Sequence, residues 1–201
     1  MKSSTINLIG AGIALVIIGS AGAWGVNKVQ HVLGATVPVA AAEQPTEKPT
    51  KVPHFTYIDF SPEGLAVATI ETYHRLFDSN LLDDKIKRFD DPKSDAWTAI
   101  LREPAFDDAS YSKLANTLGA VEGLGIDLHT LSELADIAKQ KHDTQALVYM
   151  HRILHDLDYW AFPNEDDQGK SSSFFGVTET VPAHDSGHRI EMGDYISKHK
   201  S

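Results

Sequence analysis

The sequence predicts a mainly α protein. It reads as a small bundle of four to five helices, with room for a short β-hairpin or two-stranded sheet, preceded by a single N-terminal transmembrane or signal helix. Three observations lead there. Residues 6–26 run for 21 positions without a charge, and about 20 mostly apolar residues span a bilayer as a helix. Between residues 61 and 161, apolar side chains recur at helical spacing between short polar connections, with few β-branched runs. No segment repeats at a fixed period, which argues against a solenoid.

Residues 1–34 are read as a signal-anchor or signal peptide. Trp24 stands near one end of the apolar run, and Lys2 and Lys28 bracket it, as interfacial anchors do. Ala21-Gly22-Ala23 and Ala40-Ala41-Ala42 offer cleavage sites. The run is longer than the roughly 7–15 apolar residues of a cleaved signal, which favours the anchor. The expected location is the cell membrane, single-pass, with the C-terminal domain outside the cytoplasm; the alternative is secretion after cleavage. Lys2 and the α-amino group favour that orientation, and Lys28 argues against it. Gly10 with Ala14, and Gly19 with Ala23, are spaced by four. Small residues so spaced let two membrane helices approach closely, so a homodimer through this face is an option.

Residues 35–53 form a Pro-rich linker. Pro38, Pro45, Pro49 and Pro53 recur among Ala, Thr, Glu and Lys, a composition that stays extended and buries no core.

Residues 54–181 are read as a helical extracytoplasmic domain. Phe55 to Phe60 alternates enough for a short strand. Ser61 caps a first helix with Pro62 at its first position; Leu65, Ala68, Ile70, Tyr73 and Phe77 make its inner stripe, and Asp78-Ser79-Asn80 ends it. Residues 81–91 hold at most one helical turn. A short helix over 95–102 turns Trp97, Ile100 and Leu101 inward, and Pro104 stops it. Asp107 or Asp108 caps the next, with Tyr111, Leu114, Ala115, Leu118 and Val121 at helical spacing. Asp127 or Thr130 starts another, carrying Leu131, Leu134, Ile137 and Ala138 inward as far as His142.

The strongest pattern follows at 143–161. Asp143 is an N-cap, and Ala146, Leu147, Met150, Ile153, Leu154, Leu157, Trp160 and Ala161 gather on one stripe. Pro163 ends the helix. Residues 173–181 have strand composition and would pair with 54–60. Residues 182–201 are polar and are read as a flexible tail.

Composition narrows the function. The 201 residues include no cysteine, which removes disulfides, thiolate metal sites and cysteine nucleophiles. Net charge is −10, and residues 1–42 hold two lysines and no acid, so the remainder carries −12. Such a surface repels phosphate backbones, and no nucleic-acid partner is expected.

The same helix that makes the core also carries the chemistry. His151, His155 and Asp158 are spaced i, i+4, i+7 and share an arc of roughly 60° beside the apolar stripe. Two histidines four apart can share one metal ion, and a carboxylate one turn on supplies a third ligand. Arg152 follows His151 where the zincin motif needs Glu, so that mechanism is not supported. The reading of the flank without metal is a solvated Asp–His pair. Asn164 to Gly169 has the start of an EF-hand loop, but Phe175 stands where its closing Glu belongs. His184-Asp185-Ser186-Gly187-His188 offers two histidines for weak binding of a soft metal, against the plainer reading of a flexible tail.

Two resemblances accompany these residues. Leu154-His155-Asp156 is similar to the His-Asp doublet of HD-type metal-dependent phosphohydrolases, whose pattern implies an upstream His and a downstream Asp, here His129 and Asp194. The layout of apolar span, Pro-rich linker, Tyr57-Ile-Asp-Phe-Ser-Pro-Glu63, Trp97 and His151-Arg-Ile-Leu-His155 resembles small exported or membrane-anchored helical proteins of Bacillus-type bacteria that share a domain of unknown function. That resemblance implies location and fold and supplies no activity. The expectation is therefore a membrane-anchored, non-catalytic binding or interaction protein of the cell envelope, without a cofactor, whose partner is a protein or an envelope component. The alternative is a metal-dependent hydrolase holding a divalent ion on the His151/His155/Asp158 face.

Overall fold

Ser61 and Pro62 open the first helix as their chemistry dictates. The Ser61 hydroxyl accepts the Gly64 N–H at 2.9 Å, and Pro62 occupies the first turn, where its missing N–H costs nothing. In the computed structural model, which describes residues 60–163, 173–183 and 185–200, this helix, α1, spans Pro62–Leu81. It runs through Asp78-Ser79-Asn80 rather than ending there, and the Leu82 N–H bonds back to the Asp78 carbonyl. Its buried face is Ala66, Ile70, Tyr73, His74, Phe77 and Leu81, and Leu65 faces out.

A 3-10 segment over Asp83–Phe89 leads to α2, Asp95–Ile100, capped by Ser94. Trp97 on α2 is fully buried and donates its indole N–H to the Phe89 carbonyl at 3.1 Å. A 3-10 turn at Pro104–Phe106 precedes α3, Asp108–Thr117, capped by Asp107. Helix α4 spans Leu124–Lys141 and starts earlier than Asp127 or Thr130, because Gly123 adopts φ 81° at its N-cap. Helix α5, Thr144–Asp156, is capped by Asp143, whose Oδ1 accepts the Gln145 N–H at 2.8 Å. It then widens into a π turn over Leu157–Ala161, with the Phe162 N–H reaching the Leu157 carbonyl at 2.9 Å.

Helix α5 is the hub. Its face of Ala146, Leu147, Met150, Ile153, Leu154, Leu157 and Ala161 is fully buried, and only Trp160 of the expected stripe stays half-exposed. It packs against α4 on one side and α1 on the other, and α3 packs against α4. Burying a Leu, Ile or Met side chain contributes about 1.5–3 kcal/mol, so this one face anchors the bundle.

The mainly α class is therefore seen, and the β element is not. Among the described residues there is no strand. The segment 173–181 is an irregular strap, four of whose N–H groups are taken by side-chain carboxylates. Asp156 accepts from Phe175 N–H and Val177 N–H at 3.0 and 3.2 Å. Asp127 accepts from Glu179 N–H, Thr180 N–H and the Thr180 hydroxyl at 2.7, 2.9 and 2.6 Å. These bonds do for the strap's donors what a partner strand would otherwise do.

The flexible-tail reading of 182–201 is also corrected. Gly187–His199 forms a further helix, α6, which packs on α4 and buries Met192 and Ile196 one turn apart. The apolar span, the linker, residues 54–59 and the acidic turn 164–169 lie outside the described residues. Among the described residues no helix is long and apolar enough to cross a membrane.

Candidate metal centre

His74 is the unexpected member of the site. It lies on the inner flank of α1, 1 % exposed, facing α5 and the π turn. Its Nδ1 is 2.7 Å from Asp158 Oδ2. An ionised carboxylate only accepts, so Nδ1 carries a proton, and in the neutral imidazole Nε2 then keeps its lone pair. That Nε2 is buried without a hydrogen-bond partner. It lies 3.5 Å from Asp78 Oδ1, one turn along α1.

Asp78 Oδ1 in turn accepts from His151 Nε2 at 2.8 Å. The His74 and His151 rings stack with centroids 5.4 Å apart and planes 19° from parallel. One ligand atom each from His74, Asp78 and His151 can be chosen so that all lie within 4.8 Å of one another. Burial pushes the His151 imidazole below its ordinary value, against the pull of Asp78. Burial alone would raise the Asp78 carboxyl, but the His151 hydrogen bond and the nearby His74, His151 and His155 hold it below the usual range. Both shifts run toward a neutral imidazole and an ionised carboxylate, and a metal ion would take the place of the proton that His151 Nε2 shares with Asp78.

The sequence-read residues are distributed around this group. His151 belongs to it directly. Asp158 stands behind His74 and fixes its tautomer, the carboxylate–histidine arrangement that orients a metal ligand. His155 lies beside it, its ring 5.2 Å from that of His74 and 6.2 Å from that of His151. Asp156 is fully buried under the strap, and His155 Nδ1 is 3.4 Å from its Oδ1. His129 and Asp194 lie elsewhere: both are exposed, on α4 and α6, and His129 pairs with Glu133 at 2.9 Å. His188 pairs loosely with Glu191 at 3.9 Å on α6.

Two ligating candidates, His74 and Asp78, escape a reading confined to 143–161. Their i, i+4 spacing on α1, flanking the buried Phe77, is the signal that points to them. Comparison of the chain with protein-family models, with curated proteins and with solved structures gives no match. The functional reading therefore rests on the geometry.

Proposed function

We propose that this chain is a membrane-tethered helical domain of the cell envelope whose binding function is to hold a divalent transition-metal ion between α1 and α5. His74, Asp78 and His151 are the ligands, and Asp158 orients His74. One observation carries this reading: the buried His74 Nε2, which has no hydrogen-bond partner, lies 3.5 Å from Asp78 Oδ1, in one group with a ring nitrogen of His151. With His74 neutral, Nε2 and the Asp78 oxygen are two acceptors side by side, and a metal ion bound by both would satisfy them. Asp78 and Asp158 supply two negative charges, which a divalent ion neutralises. Two imidazoles and one carboxylate match the ligand preferences of zinc and its neighbours rather than calcium or magnesium.

A second reading has its own observation. The His151–Asp78 hydrogen bond is complete without metal, and a protonated His74 would bridge Asp78 and Asp158 as a buried ion pair. Calorimetric titration of the chelator-treated full-length protein with zinc separates the two. The metal reading expects one ion per chain and a higher melting temperature, both lost in His74→Ala and His151→Ala. A saturation of 100 times Kd would add about 2.7 kcal/mol. Absence of zinc binding, with a melting temperature indifferent to zinc and to chelator, overturns it and leaves the ion pair.

A further inference from the structure

The three ligands leave a fourth position, and what fills it decides what the ion can do. A structural zinc site is closed by four protein ligands, whereas a catalytic one keeps a position open for water. This inference rests on the metal reading above and extends it.

The residue beside that position is His155. It stands one turn after His151 on the same flank of α5, and its ring meets that of His74 edge-on at 5.2 Å. It also influences Asp78 electrostatically, although its ring nitrogens stand outside the 4.8 Å group that His74, Asp78 and His151 form. Its Nδ1 is turned to Asp156, which leaves Nε2 as the nitrogen able to coordinate. The Nδ1–Asp156 contact is long, 3.4 Å, and Asp156 has both oxygens engaged by the strap N–H groups. Neither the carboxylate nor the strap depends on His155, so the side-chain rotation that brings Nε2 to the ion gives up only this long contact.

The surroundings favour a protein ligand over water. Tyr159 lies 4.9 Å from the His155 ring and 5.3 Å from that of His74, and Phe175 lies 4.8 Å from His155. Aromatic rings thus flank His155 on two sides. The half-exposed Asp78 is the most open member of the cluster and gives the route by which an ion arrives.

We propose that His155 is the fourth ligand, so that His74, Asp78, His151 and His155 enclose a zinc-class ion in a closed tetrahedral set that retains metal and does not activate water. Asp158 then stands behind His74 as the carboxylate that orients it.

Cobalt(II) titration of the chelator-treated full-length protein tests this, because tetrahedral cobalt absorbs visible light far more strongly than five- or six-coordinate cobalt. The expected result is an intense visible band in the wild type. In His155→Ala that band should collapse and affinity should fall on the order of 100-fold, with exogenous imidazole restoring the band. His155→Gln keeps most of the volume and gives the same comparison should the alanine variant fail to fold. Cobalt bound by wild type and variants with equal affinity and an identical spectrum overturns the fourth-ligand assignment while leaving the three-ligand site standing. A wild type that binds no cobalt overturns both.

Discussion

Asp158 meets His74 across 84 residues of sequence, Oδ2 to Nδ1 at 2.7 Å, with both side chains buried. The pair ties the π turn to the middle of α1 and sets which His74 nitrogen bears the proton. Asp158→Ala should therefore leave Nδ1 without an acceptor and allow the proton to move to Nε2, where it blocks coordination. Zinc affinity should drop about 10–100-fold. Nitrogen-15 NMR of the His74 ring should show the tautomer change. An unaltered ring signal together with wild-type affinity would count against the orienting role.

Stability should depend on pH through Asp127. Burial pushes its carboxyl up to about 6 from the ordinary 3.8, against hydrogen bonds from Thr180 and from the Glu179 and Thr180 backbone. The folded protein therefore holds this proton more tightly than the unfolded chain does. Its contribution is complete below about pH 4 and is lost as pH rises through about 6. Two pKa units correspond to about 3 kcal/mol. Urea denaturation of wild type and Asp127→Asn between about pH 4 and 7 should show the wild type losing that much relative to the variant. A difference independent of pH would refute the assignment.

The strap should be sensitive to one glycine. A Cβ on Gly123 would come within 2.6–2.7 Å of the Glu179 and Thr180 backbone, at a φ of 81° that side chains rarely adopt. Gly123→Ala should cost about 1–3 kcal/mol from strain alone. It should also raise hydrogen exchange at the Glu179 and Thr180 amides before that of α5. Unchanged protection of those two amides would show that the strap tolerates displacement.

Tyr111 offers a test of the α3 contact. Its buried hydroxyl donates to the Ala105 carbonyl at 2.5 Å. Tyr111→Phe leaves that carbonyl without this donor and should cost about 1–3 kcal/mol, read as a lower midpoint in urea at constant slope. A midpoint equal to that of the wild type would mean that solvent replaces the bond.

Much of the bundle was legible in the sequence because its signals are local. Ser61, Asp107 and Asp143 cap helices within three residues of themselves, and the apolar stripe of 146–161 needs only the helical period. The site was half legible for the same reason. His151, His155 and Asp158 share one helix, whereas His74 and Asp78 reach them only through the packing of α1 on α5. Segment 173–181 misled because its composition suits a strand, while Asp156 and Asp127 satisfy its N–H groups from a distance. Helix α6 was hidden by Gly187 and Gly193 and by a buried face of only Met192 and Ile196.

The π turn at Leu157–Ala161 has a consequence for insertions and deletions. A π turn is an α-helix holding one surplus residue. Removing any one residue there would restore the ordinary ladder and re-register the side chains of the turn itself. Asp158 and Tyr159 would leave His74, and Trp160 would lose Phe174, its neighbour at 5.3 Å. The same deletion placed in the loop at 90–93 would pass without touching either. Chains of this kind should therefore vary in length at their connections and keep a constant count between His151 and Pro163.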